Sequence, residues 1–493
     1  MSQYIISLDE GTSSCRAVLF NDKAEIIDIV QKEFTQLFPQ SGWVEHDPME
    51  IWNKQREVLQ KLLADHNLKA LDIAAIGITN QRETTIVWDK ITGEPIYNAI
   101  VWQDKRTASI CDALKADQWE PIIQAKTGLV IDAYFSATKV QWILDNVSGA
   151  RDAAEQGNLL FGTIDTWLIW KLTHGSVHAT DCSNASRTML MNIETTEWDD
   201  ELLECLNIPS SILPTIKNSN DHFGDYQLDG VNIPITGVLG DQQAALFGQL
   251  AWHEGQAKNT YGTGCFLLLN TGAHKVQSES GLLSTIAWRK NGHTTYALEG
   301  SVFMAGAAIQ WLRDALELID SAKETEAIAL SASEEEHLVV VPAFVGLGAP
   351  YWDMEARGAI FGLSRSSGKA ELVRATLQSL ALQTYDVLSA MQLDSNIKLS
   401  TLKVDGGAIA NNYLAQFQAD ILNIHIERPD NVESTATGAA YMAGLGANFW
   451  SEDFIQQKSK VDKIFTPQMT ESTRQNHLRL WEKAIERSRG WLK

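Results

Sequence analysis

The sequence predicts an α/β fold with two similar halves, and three observations support this prediction. Runs that suit strands recur along the whole chain between segments whose apolar residues follow helical spacing. A Gly-Thr pair lies between two strand-like runs at positions 11–12, and again at positions 262–263. The chain has 493 residues, more than one hydrophobic core usually supports. We therefore predict two domains, over residues 1–250 and 251–493.

In the first half, the earliest helix is predicted to begin at Pro48, because proline suits the first helical position and Asp47 can cap it. Its apolar side chains recur at helical spacing, which indicates a face packed on a core. Further helices are predicted at 135–147, 164–172 and 241–251. Alternating and β-branched runs predict strands at 4–8, 16–20, 25–34, 73–79, 84–88 and 96–101.

The second half repeats this mixture. Strands are predicted at 260–269, 283–288, 294–298, 338–342 and 402–404. Helices are predicted at 301–318, 369–392, 410–421 and 434–446, and a charged amphipathic helix from about residue 470 to the end.

Composition excludes several classes of protein. The formal net charge of −22 argues against binding to duplex nucleic acid or to anionic membranes, which need the opposite sign. The five cysteines form no C-x-x-C pair and leave an odd one, so neither a disulfide framework nor a zinc site is predicted. No signal segment or run of 18 apolar residues occurs, so we expect a cytoplasmic protein without membrane insertion.

The segment SLDEGTSSCR, from Ser7 to Arg16, combines an acid, a glycine, hydroxyl residues and an arginine between two strand-like runs. A glycine turn with free N–H groups and hydroxyls can cradle a phosphate, Asp9 can hold Mg²⁺, and Arg16 can neutralise phosphate oxygens. An ordinary hairpin turn is the alternative. Because KNTYGTGCF repeats the Gly-Thr turn at 262–263, we expect two related domains to grip one nucleotide from opposite sides.

Two further segments suggest a site for a small hydroxylated acceptor. NQRETT, residues 80–85, places Arg82 beside Glu83 at the end of a predicted strand; a solvated ion pair is the alternative. Asp241 follows Gly240 at the start of a helix, in a position typical of helix-capping aspartates. It can also accept the proton of an attacking hydroxyl, and the adjacent Gln242 can hydrogen-bond the hydroxyl.

Small residues at two other places favour close approach of a ligand or of another helix. In SVFMAGAAIQWLRD, residues 301–314, Gly306 and two alanines lie in a predicted helix. In KVDGGAIANN, residues 403–412, a strand ends in Asp-Gly-Gly and a helix opens, which can receive a nucleotide's base, ribose or phosphate oxygens.

Together these strings resemble the FGGY family of carbohydrate kinases, and within it the members that act on glycerol. The resemblance rests on the first turn, NQRETT, NAIVWQ at 98–103, GDQQAALFGQ, YGTGCF and FMAGAAIQWLRD, and it covers essentially the whole chain. Two broader family patterns match YFSATKVQW at 134–142 and GAIFGLSRSSGKAELVRATLQ at 358–378.

The resemblance implies two ribonuclease-H-like domains of the actin and hexokinase type flanking a nucleotide and substrate cleft. It implies phosphorylation of glycerol by MgATP to sn-glycerol 3-phosphate, with Asp241 as catalytic base, Asp9 associated with Mg²⁺ directly or through water, and Arg16 on the phosphates. The implied glycerol site comprises Arg82, Glu83, Trp102, Tyr134, Asp241, Gln242 and Phe266. The implied ATP site comprises Thr12, Ser13, Ser14, Arg16, Thr263, Gly306, Gln310, Gly407 and Asn411.

Alternatives remain open at this point. The chain could be a kinase for another polyol or for a ketose such as xylulose, or an actin-like ATP-driven switch. Relatives are commonly homodimers or homotetramers, and we expect the same here.

Two departures from the family pattern matter. Glu10 replaces the usual glutamine and adds a negative charge near the phosphates. The segment LDGVNIPITG, from Leu228, lacks an arginine used by some bacterial relatives, so inhibition by fructose 1,6-bisphosphate is expected to be weak or absent.

Overall fold

The computed structural model describes residues 3–333, 337–430, 433–458 and 460–493. In the first half, the strands are β1 Tyr4–Glu10, β2 Ser14–Phe20, β3 Ile26–Glu33, β4 Glu45–His46, β5 Ile73–Asn80, β6 Ile86–Asp89, β7 Ala99–Ile100, β8 Leu159–Gly162, β9 Ala179–Asp181, β10 Met191–Asn192, β11 Glu197–Trp198, β12 Thr215–Lys217, β13 Asp225–Leu228 and β14 Val231–Gly240. The helices are α1 Pro48–Asp65, α2 Ala108–Ala116, α3 Glu120–Thr127, α4 Ser136–Asn146, α5 Ala150–Glu155, α6 Ile164–Leu172, α7 Cys182–Ala185, α8 Asp200–Cys205 and α9 Asp241–Gly248.

In the second half, the strands are β15 Ala257–Tyr261, β16 Cys265–Gly272, β17 Leu283–Lys290, β18 His293–Val302, β19 Val339–Val341, β20 Ala359–Phe361, β21 Thr401–Asp405, β22 His425–Pro429 and β23 Val461–Phe465. The helices are α10 Gly306–Asp314, α11 Thr325–Leu330, α12 Lys369–Ser395, α13 Asn412–Leu422, α14 Ser434–Gly446, α15 Glu452–Gln456 and α16 Glu471–Ser488.

Each half is built on a sheet of the same pattern. The first sheet has the order β13-β14-β5-β1-β2-β3, in which β1, β2 and β3 are antiparallel while β5 and β14 continue in parallel from β1. The second has the order β17-β18-β16-β15-β21-β22-β23, in which β15, β16 and β18 are antiparallel while β21 and β22 continue in parallel. The repeat predicted from the two Gly-Thr turns is therefore present in the sheets.

The structure corrects three secondary-structure predictions. A strand predicted over 260–269 is two strands separated by the turn at 262–264, and the helix predicted from 301 begins only at Gly306, because β18 continues to Val302. The sequence pattern predicts no strand at β14, where Pro234 and Gly237 interrupt the run. The glycine is needed there because a Cβ at Gly237 would lie 2.3 Å from the backbone nitrogen of Ala443.

A shared core joins the two halves. It contains Ile5, Val18 and Leu239 from the first half together with Leu268 and Ala440 from the second, all buried. At its centre α9 packs on α14 so closely that a Cβ on Gly438 would lie 1.8 Å from the carbonyl oxygen of Ala244. Glu433, just before α14, forms an ion pair with Arg16 of β2, so the start of α14 lies beside β2.

Two findings bear on the compositional expectations. All five cysteines are free thiols. Among the helices in the described ranges, none is both long enough and apolar enough to cross a bilayer.

Candidate active site

Three parallel strands end at one edge of the first sheet. Glu10 of β1 and Gly240 of β14 are both register partners of Asn80 at the end of β5. The residues that follow β5 and β14 therefore leave the sheet together, and Arg82 and Asp241 come close. Ligands of open α/β sheets commonly bind outside such carboxyl ends.

The first turn connects β1 to β2 at this edge. Gly11 N donates to Ser14 O at 2.9 Å, which closes the turn. The buried Asp9 carboxylate forms an ion pair with Arg16, and Arg16 also pairs with Glu433, just before α14. Burial raises the pKa of Asp9, and the nearby charge of Arg16 opposes that rise. The turn is therefore joined to the second half through one guanidinium.

Glu10 points into the interior of the first half. Its side chain is 0% exposed, and Gln81 Nε2 donates to Glu10 Oε2 at 3.2 Å and to the carbonyl oxygen of Gly11 at 3.1 Å. Burial raises the pKa of Glu10 well above its usual range. Burial therefore disfavours the charged form of this carboxyl and lessens the repulsion expected from this substitution.

Arg82 and Glu83 belong to a buried four-residue network, which corrects the alternative of a solvated pair. Arg82 Nη1 lies 2.5 Å from Glu299 Oε2 of β18, Arg187 Nη2 lies 2.9 Å from Glu299 Oε1, and Arg187 Nε lies 2.7 Å from Glu83 Oε1. All four side chains are at most 3% exposed. Burial opposes ionisation of Glu299, but Arg187 and Arg82 lower its pKa to about 2. Glu83 has a φ of 62°, a strained value for a non-glycine residue that is typical of functional sites.

Asp241 joins this network at its solvent side. Arg82 Nε lies 3.1 Å from Asp241 Oδ1, and the Asp241 side chain is 31% exposed. The expectation that Asp241 caps the helix is wrong, because Gly240 is the N-cap and Asp241 is the first residue of α9. Its Oδ1, besides facing Arg82, accepts a hydrogen bond from the N–H of the adjacent Gln242 at 2.7 Å. The carboxylate is therefore oriented by Arg82 while remaining accessible.

Two aromatic rings line the site beside the network. Trp102 and Tyr134 form an edge contact with ring centroids 5.5 Å apart, and the Arg187 guanidinium lies 5.7 Å from the Tyr134 ring. Trp102 Nε1 donates to Thr12 Oγ1 at 3.1 Å, so the ring wall is joined to the first turn. Phe266 lies in the other half, half-buried on β16 opposite Thr260.

The second turn contacts the start of α10. Gly306 N donates to Gly262 O at 3.0 Å and Ala305 N donates to Thr263 O at 2.9 Å. Gln310 lies one turn further along α10 and is exposed. The turn is thus held by backbone bonds, which leaves the Thr263 side chain and the Gln310 amide available on its surface.

The proposed adenosine residues follow β21. Gly406, with a φ of 93°, lies against the second turn, since a Cβ there would be 2.3 Å from the carbonyl oxygen of Tyr261. Gly407 has open surroundings. Asn411 caps α13 by accepting from Leu414 N at 3.0 Å, and its amide donates to Thr325 Oγ1 at 3.0 Å. The Asn411 side chain therefore has a structural role whether or not it meets a ligand.

Sequence reasoning missed three residues that contact the candidate site: Arg187, Glu299 and Lys258. Arg187 and Glu299 are distant in sequence from every motif, and only their full burial with opposite charges marks them. Lys258 is the first residue of KNTYGTG, so a charged residue within an otherwise buried strand next to the turn was the available signal.

Comparison with known proteins agrees with this arrangement. Models of the N-terminal and C-terminal domains of the FGGY family of carbohydrate kinases match residues 4–248 and 257–447. A glycerol kinase from Carboxydothermus hydrogenoformans is 58% identical, with 99% of each chain covered, and one from Caldanaerobacter subterraneus subsp. tengcongensis is also 58% identical, covering 100% of this chain and 99% of its own. The crystal structure of Plasmodium falciparum glycerol kinase with ADP is 37% identical and covers 99% of this chain and 98% of its own with a TM-score of 0.92.

A xylulose kinase from Lactobacillus acidophilus has a TM-score of 0.89 at 25% identity over the whole of both chains. The predicted fold class, two actin- and hexokinase-like domains, is confirmed by these neighbours and by the repeated sheets. With both domain models matched in order over most of its length, the chain belongs to the FGGY family of carbohydrate kinases.

Proposed function

We propose that this protein transfers the γ-phosphoryl group of ATP to a hydroxyl of glycerol, forming sn-glycerol 3-phosphate and ADP. The observation that carries the proposal is the 3.1 Å contact between Arg82 Nε and Asp241 Oδ1, beside a tryptophan that bonds Thr12 of the first turn. An acceptor hydroxyl at Asp241 would therefore lie next to a turn suited to phosphates. The 58% identity to glycerol kinases over the full length supports glycerol as the acceptor.

Glycerol carries hydroxyls that both donate and accept hydrogen bonds, so its site must offer both kinds of partner. Arg82 and Gln242 supply N–H donors, Glu83 and Asp241 supply carboxylate acceptors, and the rings of Trp102, Tyr134 and Phe266 cover the carbon chain. The attacking oxygen forms a bond to the γ-phosphorus while the bond to the β–γ bridging oxygen breaks, and ADP leaves with that electron pair. Asp241 accepts the proton of the attacking hydroxyl.

Phosphoryl transfer depends mainly on positioning and on charge stabilisation. The first turn contributes Thr12, Ser13, Ser14 and Arg16 to the phosphates, and the second contributes Thr263 and the N-terminus of α10 at Gly306. Gln310, Gly407 and Asn411 border the adenosine. The two turns belong to different halves, so closure of the halves over the nucleotide would exclude water as a competing acceptor.

Magnesium fits the donor set at Asp9. The described residues contain no cluster of three or more acidic, histidine or cysteine side chains that could hold a metal without help. Mg²⁺ bound through one carboxylate, waters and substrate phosphates needs no such cluster, and Asp9 supplies a buried carboxylate at the phosphate turn. When bound, the ion neutralises phosphate charge. A cytoplasmic location and a homodimeric or homotetrameric state stay predictions.

The proposed function is tested by incubating the full chain with MgATP and separate acceptors: glycerol, xylitol, xylulose and none. We expect ADP release with glycerol to exceed release without acceptor by about 100-fold or more, with sn-glycerol 3-phosphate as product. A preference for xylulose would assign the chain to another substrate of the family. Equal ADP release with and without acceptor would indicate an ATP-driven switch.

A further inference from the structure

Lys258 is a fully buried cation that reaches from one half of the protein to the other. It lies on β15 of the second half, is 0% exposed, and its Nζ donates to Gln242 Oε1 on α9 of the first half at 2.5 Å. A second bond runs to Thr260 Oγ1 on the same strand, at 2.8 Å. Lysine is rarely buried without a specific partner, so the contact with Gln242 needs an explanation.

The chemistry of the contact fixes the orientation of an amide. A glutamine side chain has an oxygen that accepts and an NH₂ group that donates, and the two ends are nearly equal in shape. An ammonium group can only donate, so it must face the oxygen of Gln242. The NH₂ group of Gln242 is consequently left for another partner, and this side chain lies next to the accessible carboxylate of Asp241 in sequence.

We propose that Lys258 is a positioning residue that holds the Gln242 amide with its NH₂ group toward a hydroxyl of the acceptor. The proposal rests on the proposed function, because it deepens the assignment of Gln242 to the polyol site. The polyol then meets a fixed donor at Gln242 and an acceptor at Asp241. An acceptor molecule lacking the corresponding oxygen would leave that donor unpaired and would bind poorly.

The same contact connects the acceptor to the second phosphate turn. Lys258 and Thr260 precede the turn at 262–264 on one short strand, whereas Gln242 belongs to the first half. A polyol that engages Gln242 therefore acts on the strand that leads into the nucleotide turn. This bond is a direct contact between the acceptor side of the first half and the strand that precedes the nucleotide turn.

The surroundings explain how the lysine is kept charged. The charges of Asp405, Asp241 and Glu299 favour the ammonium form of Lys258, and that of Arg82 opposes it. Asp405, the register partner of Thr260, has a buried Oδ1 that accepts no hydrogen bond from the residues that the structure describes. Burial is the larger effect and lowers the pKa of Lys258 to about 8. The ammonium is present at neutral pH and is lost as the pH rises through 8.

The test is a double-mutant cycle measured on whichever acceptor the wild-type protein phosphorylates. Lys258→Met and Gln242→Leu should each raise the KM for that acceptor about tenfold or more, with a smaller change in the KM for ATP. The KM of the double variant for the acceptor should be no higher than that of the poorer single variant, because each substitution removes the same oriented donor at position 242. Effects that multiply, or an effect confined to the KM for ATP, would overturn the proposal.

Lys403→Met is the matched control. Lys403 is the register partner of Lys258 on β21 and also reaches the first half, but its Nζ donates to the backbone oxygen of Gln249, just after α9, at 2.6 Å. We expect this variant to leave the KM for the acceptor unchanged. An equal rise in the Lys403 variant would mean that loss of any lysine on this sheet produces the effect, and the proposal would fail.

A pH profile keeps the proposal testable if Lys258→Met does not fold. The wild-type KM for the acceptor should rise between pH 7 and pH 9.5 as Lys258 loses its proton, and Gln242→Leu should abolish that rise. A profile that is the same in both proteins excludes the role. These measurements can use any polyol or ketose that the wild-type protein phosphorylates. A wild-type protein that does not phosphorylate glycerol would refute the proposed function, but the Lys258 test could still be carried out with another acceptor.

Discussion

Arg82 Nε lies 3.1 Å from Asp241 Oδ1, while Arg82 Nη1 is held at 2.5 Å by the buried Glu299. The guanidinium is therefore anchored from the second half by Glu299, and its Nε forms an ion pair with the carboxylate of the first. An acid held by a rigid, planar donor has one orientation, and an accessible second oxygen can face the acceptor. This contact orders the candidate base without burying it.

The first prediction concerns Asp241→Asn. An amide cannot accept the proton of the attacking hydroxyl, so kcat should fall about 100-fold or more, while the dissociation constant for ATP should stay close to that of the wild type. Steady-state kinetics and calorimetric titration with the nucleotide measure the two effects. Asp200→Asn, an exposed acid in the first turn of α8, is the control. Unchanged turnover in the Asp241 variant would remove that residue from the reaction.

Glu299→Gln should destabilise the fold. The substitution keeps the shape of the side chain but leaves two buried guanidiniums facing a neutral amide, and within the described part of the chain Arg187 Nη1 already has no hydrogen-bond partner. Breaking a buried ion pair in this way costs about 3–5 kcal/mol. The pKa of Glu299 is lowered from 4.5 to about 2 in the folded state. Its ionised form therefore stabilises the fold above pH 4.5, and this stabilisation is lost as the pH falls toward 2.

Urea unfolding at pH 7 and at pH 3 measures this difference. The free-energy gap between wild type and Glu299→Gln should be wide at pH 7 and narrower at pH 3. Glu197→Gln, on the exposed β11, serves as the control and should unfold like the wild type. A gap that does not depend on pH would mean that the cost comes from packing and not from charge.

Local patterns in the sequence predict much of this fold, but they do not predict the contacts between residues that are far apart in the sequence. Strands β1, β2 and β5 and helices α1, α6 and α14 follow from alternation, capping and spacing, because each signal lies within its own segment. Strand β14 could not be predicted in this way, because Pro234 and Gly237 locally indicate an interruption of a strand. Only the close approach of Ala443 explains the glycine.

The candidate site divides in the same way. The two turns can be recognised in the sequence from their glycine and hydroxyl residues. Arg82 and Asp241 can be recognised once the family resemblance is noticed. Glu299 and Arg187 do not, because their role depends on partners more than one hundred residues away, as their separation of 112 residues shows. A buried charge is recognisable only when the structure reveals both its burial and its partner.

Gly306→Ala should impair nucleotide binding selectively. A Cβ on Gly306 would lie 2.6 Å from the carbonyl oxygen of Gly262, a backbone atom that cannot move without displacing the second turn. The KM for ATP should rise about tenfold or more, while the KM for the acceptor changes little. Gly368→Ala, where the nearest atom is a side-chain oxygen at 3.5 Å, is the control. An equal rise in both KM values would mean that the whole cleft is displaced.

Glu10→Gln should stabilise the protein at neutral and alkaline pH without lowering kcat. Burial raises the folded-state pKa of Glu10 well above 4.5, so above that pH the unfolded chain ionises while the folded protein keeps its proton. The unfolded state then binds fewer protons than the folded state, and stability falls as the pH rises toward the folded-state pKa. Glutamine at this position can still accept from Gln81 Nε2 and carries no such cost.

The stabilisation by Glu10→Gln should therefore be small at pH 5 and should reach about 1 kcal/mol or more by pH 8, since each unit of pKa shift corresponds to about 1.4 kcal/mol. Urea unfolding across this range measures it, with Glu33→Gln on the exposed side of β3 as the control. A variant less stable than the wild type at pH 8 would show that the carboxylate is ionised in the folded protein. Glu10 would then carry a negative charge beside the phosphate turn, as the sequence alone suggests.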